Sequence, residues 1–443
     1  MLRRLLCLFL LVATPAVADW KDEIIYFVMV DRFADGDPSN NEGVNLENPL
    51  AFHGGDLKGL TERLDYIADL GATAIWLTPV NQQGPSIEVA EGTFQPHHGY
   101  WADEFNAIDP RFGTEDDLRA LVEAAHARGI KVLLDVVYNH VGYNATWTKT
   151  RPHWLRQGAE CGGDAITLCL AGLPDLKTER FDVRSAILDA HIGLAERTGV
   201  DGFRLDTYKH IDPDFWAAHR VVTRLRLGED FFLLGEIWDG DKYLAKAPFE
   251  ADTLDGIFDF TFRDHVQKML TGIEDPERFA RYFTNRHDIE GDKVLAPFLS
   301  NHDMPMLLAM MRGDTAKLRQ AFALLMFAEG PPVISWGEEQ GRRGKAWPLN
   351  REDMDWTGGD TALTDDVKAL IALRRAEPDM RGGPVQTVYA ANGLLILRRG
   401  AVTLALNLSD TPVPVVQGLG KRVLFGGDPM ALAPSGVAIF AAD

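Results

Sequence analysis

Three carboxylates in this sequence each close an apolar run, a position where strands of a folded chain can bring side chains together. Asp206 closes the run GFRLD, Glu236 closes FFLLGE, and Asp303 closes FLSNHD. A pair of carboxyl groups, one ionised and one protonated, can cleave a glycosidic bond, because the first attacks the anomeric carbon and the second protonates the leaving oxygen. These residues therefore predict carboxylate chemistry if the fold gathers them.

A cation beside one of the carboxylates would separate their roles. Arg204 lies two residues before Asp206, so in a strand the two side chains lie on the same face, and the guanidinium favours the ionised form of Asp206. The sequence places no cation next to Glu236. We therefore expect Asp206 to be the nucleophile and Glu236 to carry the proton.

Eight apolar runs alternate with amphipathic stretches, which predicts a parallel sheet buried on both faces. The predicted strands cover residues 24–30, 74–79, 130–137, 202–206, 231–237, 256–260, 294–299 and 332–336. Helices are predicted at 57–70, 115–128, 184–197, 213–227, 316–327 and 365–375. Eight such units favour a closed barrel over an open doubly wound sheet. The predicted fold class is therefore α/β, a (β/α)₈ TIM barrel.

Two stretches depart from this alternation of apolar runs and amphipathic helices. Residues 141–180 are too long for an ordinary connection and are interpreted as a small inserted domain after the third strand. From residue 381, short alternating segments predict a C-terminal antiparallel β domain over 381–443. The catalytic barrel would then comprise residues 19–140 and 181–380.

The barrel explains how the polar residues could meet. Catalytic side chains of such barrels lie at the C-terminal ends of the strands. Because adjacent strands lie about 4.8 Å apart, Asp206 and Glu236 would face each other. Their carboxyl groups would be separated by about 5–5.5 Å, the spacing of glycosidases that retain the anomeric configuration.

Four strand-end segments resemble the signature regions of the α-amylase family, glycoside hydrolase family 13, and occur in the family's order. They are DVVYNH at 135–140, GFRLDTYKH at 202–210, LGEIW at 234–238 and FLSNHD at 298–303. A fifth segment, LPDL at 173–176, resembles the motif that the family carries in its inserted domain B. The resemblance extends from about residue 24 to 336, and the terminal β module resembles the family's domain C.

The resemblance implies a role for each matching residue. Asp206 matches the nucleophile, Glu236 the general acid/base, and Asp303 the third carboxylate, which binds sugar hydroxyls. The implied substrate-binding residues are Arg204, which pairs with the nucleophile; His140 and His302, in the −1 subsite; Asp135, near the site; Lys209 and His210, on the acceptor side; and His98, Tyr100 and Trp101 of an HGYW segment. Asp135 could equally brace the barrel.

Two calcium sites are suggested. Hard oxygen ligands suited to Ca²⁺ occur together in one tight turn: Asp35, Asp37, Asn40 and Asn41. This turn resembles an N-terminal calcium loop of cyclodextrin glucanotransferases, which is completed by residues matching Gly54 and Asp56; a capped turn rich in Asp and Asn is the alternative. The second site resembles the family's calcium between domains A and B, with ligands matching Asn139, Asp175 and the carbonyl of His210. We expect one or two Ca²⁺ ions and no organic cofactor.

The N-terminus predicts export. Arg3 and Arg4 precede an apolar run at 5–12, and Ala16 and Ala18 then supply a small-residue cleavage site, the order of a secretory signal peptide over 1–18. We therefore expect cleavage near Ala18 and a secreted or periplasmic protein without a membrane anchor. In such a compartment Cys161 and Cys169 are expected to form a disulfide, because no further ligands are spaced for a zinc site.

Composition and motifs together predict a hydrolase of neutral polysaccharides. The formal net charge of −20 argues against a nucleic-acid partner. We expect an endo-acting α-1,4-glucan hydrolase of the α-amylase type, acting as a monomer on starch, glycogen or maltodextrins. The alternative is a relative with the same site, such as a cyclomaltodextrinase, maltogenic amylase or α-glucan transglycosylase. A non-catalytic binding protein is disfavoured because all three carboxylates are present.

Overall fold

Eight parallel strands form the central sheet of the computed structural model, which describes residues 20–239, 242–290, 293–414, 422–427 and 431–442. The strands are β1 (Ile25–Val28), β2 (Ala74–Leu77), β3 (Lys131–Val136), β4 (Gly202–Leu205), β5 (Phe232–Gly235), β6 (Gly256–Asp259), β7 (Val294–Pro297) and β8 (Val333–Ser335). Neighbours in the chain pair in order, and β8 pairs with β1. A parallel bridge between Phe298, just after β7, and Val333 nearly closes the barrel. The predicted fold class is confirmed.

Helices surround the barrel and connect its strands. The principal helices are Leu57–Glu62, Leu64–Leu70, Glu115–His126, Phe181–Thr198, Pro213–Leu227, Lys242–Glu250, Phe260–Leu270, Pro276–Glu290, Thr315–Phe327 and Thr361–Ala376. All six predicted helices occur, the first as two segments. Three others do not follow from the sequence pattern. One contains an internal proline, Pro248, another follows β6 without a turn, and the third is strongly polar.

The strands are short and apolar because helices and loops cover the sheet on both faces. Every residue of β1, β2, β4, β5, β6 and β8 is buried. The register sets the positions of the strand ends: Arg204 of β4 lies opposite Asp135 of β3, and Leu205 opposite Gly235 of β5. The residues that follow, Asp206 and Glu236, therefore leave the sheet side by side.

The predicted inserted segment, residues 141–180, packs against the end of β3. It contains a short helix, Trp147–Thr150, and a two-stranded ribbon of Leu155–Arg156 with Asp175–Leu176. A disulfide joins Cys161 and Cys169. The Leu176 amide donates to the Asn139 carbonyl at 2.7 Å, so the ribbon is fixed to the barrel.

A further element precedes this segment and is not predicted from the sequence. Between β2 and the next helix, Asn81–Gln83 pairs with Ala102–Ile108, and Ile87–Val89 pairs with Gly92–Phe94. Three of these strands have only three residues, and the register of the first pair is irregular, so the sequence shows no clear alternation of apolar residues. They carry His98, Tyr100 and Trp101 to the mouth of the barrel.

The C-terminal domain is an antiparallel sheet. Its strands are β9 (Gln386–Ala391), β10 (Leu394–Arg399), β11 (Val402–Asn407), β12 (Arg422–Gly426) and β13 (Val437–Ala441), in the spatial order β9-β10-β11-β13-β12. Buried arginines join it to the barrel: Arg399 donates to the carbonyls of Met380 and Ala328 at 2.6 and 3.0 Å.

Two sequence-based predictions concern the N-terminus and the membrane. The predicted signal peptide, residues 1–18, lies outside the described residues. Of the helices that the structure describes, none has the length and apolar character needed to cross a bilayer.

A buried histidine makes the fold sensitive to acid. His191 packs within 5.3 Å of the Phe105 ring and 4.9 Å of the Tyr138 ring, measured between centroids. Burial lowers the pKa of His191 to about 3, whereas the value in an unfolded chain is about 6.5. Between these pH values the unfolded chain binds a proton that the folded chain does not, so stability falls as the pH falls.

We predict that His191→Leu reduces this acid sensitivity. The loss of unfolding free energy between pH 7 and pH 5 should be smaller by about 2 kcal/mol than in the unmodified protein, as measured by urea denaturation at both pH values. His153→Gln, at an exposed histidine, is the control and should keep the original pH dependence. Equal pH dependence in His191→Leu and the unmodified protein would contradict the assignment.

Candidate active site

One buried arginine organises the carboxylates at the C-terminal end of the barrel. Arg204 Nη1 lies 2.6 Å from Asp206 Oδ1 and 3.1 Å from Asp135 Oδ1, and its Nη2 lies 2.9 Å from Glu236 Oε1. The arginine is 1% exposed. Three carboxyl groups from β3, β4 and β5 therefore meet around one guanidinium.

The contact to Glu236 corrects one step of the sequence-based reasoning. The prediction that Glu236 has no neighbouring cation is wrong, because the register of β4 and β5 extends Arg204 across to the next strand. Arg204 thus cannot by itself distinguish a nucleophile from a proton donor. The Glu236 carboxyl also accepts from the Thr207 amide at 3.0 Å, so its orientation is fixed from two sides.

Asp135 holds neighbouring side chains of the site in place. Its carboxylate accepts from the Tyr100 hydroxyl at 2.7 Å and from Trp76 Nε1 at 3.0 Å, in addition to Arg204. Asp135 is fully buried and does not line the cavity. Of its two predicted roles, the geometry is that of a brace that orients Tyr100 and Arg204.

Burial raises the pKa of two of these carboxyls, Asp206 and Asp135. Burial raises the pKa of Asp206 well above its usual value, the guanidinium of Arg204 opposes that effect, and the charges of Glu236 and Asp135 reinforce it. Burial also raises the pKa of Asp135, to about 7. Asp206 and Glu236 both contact the Arg204 guanidinium, which places their carboxyl groups as a pair. A pair with one proton can supply one nucleophile and one acid.

The third carboxylate, Asp303, lines the same cavity as Asp206 and Glu236. Asp303 Oδ2 is 3.1 Å from His302 Nε2, and Asp303 Oδ1 is 3.4 Å from Arg351 Nη2. Burial lowers the pKa of His302 well below its usual value, so the imidazole is neutral. The His302 ring stacks on Tyr100 with centroids 5.1 Å apart and planes 3° apart.

The carboxyls of Asp206, Glu236 and Asp303 open into a cavity of about 620 Å³. Nearly all of the residues predicted to bind substrate line it: Asp206, Glu236, Asp303, His140, His302, Tyr100, His98, Trp101, Lys209 and His210. Arg204 and Asp135 lie beneath the floor. His140 is neutral, because burial lowers its pKa to about 4, and its Nε2 donates to the Tyr100 carbonyl at 3.0 Å.

The predicted acceptor-side residues are held by neighbouring main-chain groups. Lys209 Nζ donates to the Trp238 carbonyl at 2.8 Å, and His210 Nδ1 bonds the Ala165 carbonyl at 2.8 Å. His98 and Trp101 are almost fully buried and pack on each other with ring centroids 4.7 Å apart. These two residues therefore form the cavity wall behind Tyr100.

Several lining residues do not follow from the sequence analysis. They are Phe94, Tyr143, Leu170, Ala171, Leu173, Thr207, Trp347 and Arg351. Trp238, the last residue of the segment LGEIW, also lines the cavity and is 50% exposed. Trp347 and Arg351 follow β8, so a polar or aromatic loop at a strand end is the signal that could identify them.

The six residues of the predicted N-terminal calcium loop lie together. Asn41 Nδ2 donates to Asp35 Oδ2 at 2.6 Å, and the Asp37 amide and Asn40 Nδ2 donate to Asp56 Oδ2 at 2.8 and 3.2 Å. Gly54 has φ of +91°, and a Cβ there would lie 2.8 Å from Asn41 Oδ1. Asp56 caps the helix Leu57–Glu62 by accepting from the Gly59 amide, so its carboxylate is largely occupied.

Buried amide oxygens mark both predicted cation positions. Asn40 Oδ1, Asn41 Oδ1 and Asn139 Oδ1 are buried without a hydrogen-bond donor among the described residues. At the second position, Asp175 Oδ2 is already paired with Arg156 Nη1 at 2.6 Å. No three His, Cys, Asp or Glu side chains converge as a metal site within the described ranges, so a cation would depend on amide and main-chain oxygens.

Comparison with known proteins identifies similar chains. Residues 27–154 and 165–379 match the family described as "Alpha amylase, catalytic domain". A cyclomaltodextrinase of Geobacillus thermopakistaniensis (strain MAS1) is 30% identical over 398 residues, which cover 84% of this chain and 65% of the relative. Alpha-amylase 2 of Schwanniomyces occidentalis is 30% identical over 417 residues, 88% of this chain and 79% of the relative.

A solved structure shows the same similarity over nearly its whole length. The crystal structure of an Anoxybacillus α-amylase superposes with a TM-score of 0.87 at 30% identity, covering 96% of this chain and 99% of that one. The chain therefore spans almost all of this α-amylase but less than two thirds of the cyclomaltodextrinase, 65% of whose length is matched.

We predict that Arg204→Met destabilises the fold in a pH-dependent way. Three buried carboxyls would lose their shared cation, which should cost about 3–5 kcal/mol of unfolding free energy at pH 7. At pH 5 Asp135 and Asp206, whose pKa values are raised, can bind protons instead of remaining as unpaired charges, so the loss should shrink.

Denaturation at the two pH values measures the effect of Arg204→Met. Arg226→Met is the matched control: its partners, Asp189 and Glu196, lie at the surface, and the cost should stay below about 1 kcal/mol at both pH values. A loss for Arg204→Met that grows on acidification would contradict the prediction.

Proposed function

The chain belongs to the α-amylase family of glycoside hydrolases, and we propose that it is a retaining, endo-acting α-1,4-glucan hydrolase with Asp206 as its nucleophile. The observation that carries the carboxylate pair is the single guanidinium of Arg204 in contact with both Asp206 and Glu236 at the floor of the cavity; the choice of Asp206 as nucleophile follows from its match to the family's motif. The family implies an α-glucan as substrate. Cleavage within starch, glycogen or maltodextrin chains is the finer step proposed.

In the first step, the Asp206 carboxylate forms a bond to the anomeric carbon as the glycosidic bond breaks. The proton held by Glu236 passes to the leaving oxygen, so no free alkoxide forms. Arg204 stabilises the negative charge of the Asp206 carboxylate, which is lost as the bond to the anomeric carbon forms. The product is a β-glycosyl ester on Asp206 and a shortened glucan with a new non-reducing end.

In the second step, Glu236 acts as a base. It takes a proton from water, whose oxygen bonds to the anomeric carbon while the bond to Asp206 breaks. Two inversions at the same carbon retain the α configuration. Asp303 and the neutral imidazoles of His302 and His140 are placed to hydrogen-bond the hydroxyls of the reacting glucose, and Tyr100 offers an aromatic face.

A cyclomaltodextrinase or transglycosylating relative is the second candidate. It is favoured by the 30% identity to a cyclomaltodextrinase over 84% of this chain. The same carboxylates would act, and only the acceptor or the preferred substrate shape would differ. Relative rates on starch, maltoheptaose, cyclodextrin and pullulan separate the two, because a cyclomaltodextrinase prefers the cyclic substrate.

Calcium binding is also proposed, in a structural role. Asn40 and Asn41, with Asp35, would hold one ion, and Asn139 with Asp175 another. The donor-free amide oxygens fit a hard cation, and they are what supports the proposal. A bound ion would join the N-terminal loop, or the inserted segment, to the barrel. We further propose export, on the strength of the N-terminal sequence pattern and the presence of a disulfide.

Azide tests the assignment of the two catalytic carboxyls. We predict that Asp206→Ala and Glu236→Ala each lower hydrolysis of 4-nitrophenyl α-maltotrioside by about 10⁴-fold or more. Azide should restore nitrophenol release in both variants with opposite stereochemistry. It replaces the nucleophile in Asp206→Ala and gives the β-glycosyl azide, but attacks the glycosyl-enzyme in Glu236→Ala and gives the α-glycosyl azide.

The azide products are identified by NMR. The same anomer from both variants would contradict the assigned roles. Initial release of β-configured sugar by the unmodified enzyme would exclude a retaining mechanism altogether.

Chelation tests the calcium proposal without reference to activity. We predict that EGTA lowers the thermal unfolding midpoint by several degrees and that Ca²⁺ restores it, because an ion bound only by the folded chain stabilises it. Asn41→Ala and Asn139→Ala should each remove part of that shift. Asn106→Ala, at an exposed asparagine outside both sites, is the control. A midpoint that does not respond to EGTA or Ca²⁺ would exclude both sites.

A further inference from the structure

An exposed tryptophan stands at the edge of the active-site cavity. Trp347 lines the cavity and is 41% exposed. The mechanism above gives it no task. Tryptophan is rarely left exposed without a partner, because its large apolar surface is stabilised by burial.

The loop that carries Trp347 is tied to the catalytic residues. Asn350 Nδ2 donates to the His302 carbonyl at 2.8 Å, and Arg351 Nε donates to the same carbonyl at 3.1 Å. Arg351 also pairs with Asp303. The indole is therefore held at a fixed position relative to the third carboxylate.

The loop is also closed on itself. A Cβ at Gly344 would lie 2.3 Å from the Leu349 carbonyl oxygen, so only glycine permits the approach. The Met306 amide donates to the Gly344 carbonyl at 2.9 Å. A platform on such a short, braced loop loses little conformational entropy when a ligand binds.

Aromatic contacts place Trp347 on the Asp303 side of the scissile bond. The Trp347 ring lies 5.3 Å from Phe94, Phe94 lies 5.3 Å from His98, and the His98 ring is stacked on Tyr100 at 5.8 Å. Tyr100 in turn stacks on His302, next to Asp303.

The acid lies on the other side of the reacting bond. Glu236 protonates the oxygen of the departing chain, and Trp238, two residues later, carries the carbonyl that Lys209 binds. Trp238 stacks on Phe260 at 5.3 Å. Both exposed indoles line the cavity. Trp238 follows the acid at the end of β5 and is assigned to the leaving side, whereas Trp347 is tied through Arg351 to Asp303 and is assigned to the side that stays attached to the enzyme.

We infer that Trp347 is a stacking platform for a glucose unit on the non-reducing side of the bond, beyond the unit that reacts, and that it sets the preference for longer glucans. The inference rests on the proposed function. A pyranose ring presents apolar C–H faces and polar edges, which suits the face of an indole whose surroundings remain open to solvent. Arg351 and Asp303 would supply polar partners for the adjoining hydroxyls.

Aryl glycosides with increasing numbers of glucose units isolate this side of the site. In 4-nitrophenyl α-maltooligosides with one to five glucose units, nitrophenol release counts only cleavages with every glucose on the glycone side. In the unmodified enzyme kcat/KM should rise at least tenfold as the second and third units are added. In Trp347→Ala the increase in kcat/KM from the second and third glucose units should be about tenfold smaller, which corresponds to about 1.4 kcal/mol. Trp347→Phe should retain part of this increase.

Two controls separate a platform from general damage to the fold. Leu349→Ala alters an exposed residue of the same loop that does not line the cavity and should keep the full rise. Trp238→Ala should weaken the effect of lengthening the leaving chain, with the glycone-side increments maintained. If Trp347→Ala keeps the same increments as the unmodified enzyme, the inference is wrong.

Failure of the proposed function would be recognised separately. If the unmodified protein releases neither nitrophenol nor shortened maltooligosaccharides from any of these glycosides, the proposed hydrolysis is excluded, and calorimetric titration with maltoheptaose then measures the platform directly. Binding that weakens at least fivefold in Trp347→Ala but not in Leu349→Ala supports the platform. Equal binding by all three proteins overturns it.

Discussion

The Arg204 guanidinium lies in a fully buried position with three carboxyl groups around it, and much of the site depends on this arrangement. A charge so far from water requires compensation, and the compensating groups include Asp206 and Glu236, the two carboxyls proposed to act on the glycosidic bond. The same contacts orient Tyr100 through Asp135 and hold Glu236 beside Asp206. Burial, reinforced by the charges of Glu236 and Asp135, raises the pKa of Asp206, because one cation does not offset three acids.

The strands of the barrel determine where the residues around this guanidinium lie. The register of β3, β4 and β5 aligns Asp135 with Arg204 and leaves Asp206 and Glu236 adjacent where the strands end. The loops then decide what can reach them. His302 and Asp303 follow β7, and the loop after β8 hydrogen-bonds to the His302 carbonyl, so the two sides of the cavity are built from consecutive strand ends.

Sequence reasoning predicts this site unevenly, for physical reasons. Asp206, Glu236 and His140 follow apolar strands whose period is clear, so their convergence can be predicted. The contact of Arg204 with Glu236 is missed because it crosses between strands, where neighbours in space are distant in sequence. Trp347 is missed because its place depends on hydrogen bonds from Asn350 and Arg351 to a residue almost fifty positions earlier, and no local pattern reports such a contact.

The disulfide of the inserted segment and the pairing of β1 with β8 differ in how much of the chain must be present before each can form. The disulfide of the inserted segment joins residues with a sequence separation of only 8, so it can form locally while later parts of the polypeptide are still emerging. The pairing of Ile25 with Val333 requires most of the chain, and β1 has no permanent neighbour on that side until then. Leu170 and Ala171, next to Cys169, belong to the cavity wall. One wall of the cleft can thus be shaped early in biogenesis, whereas the floor is assembled only when the last barrel strand arrives.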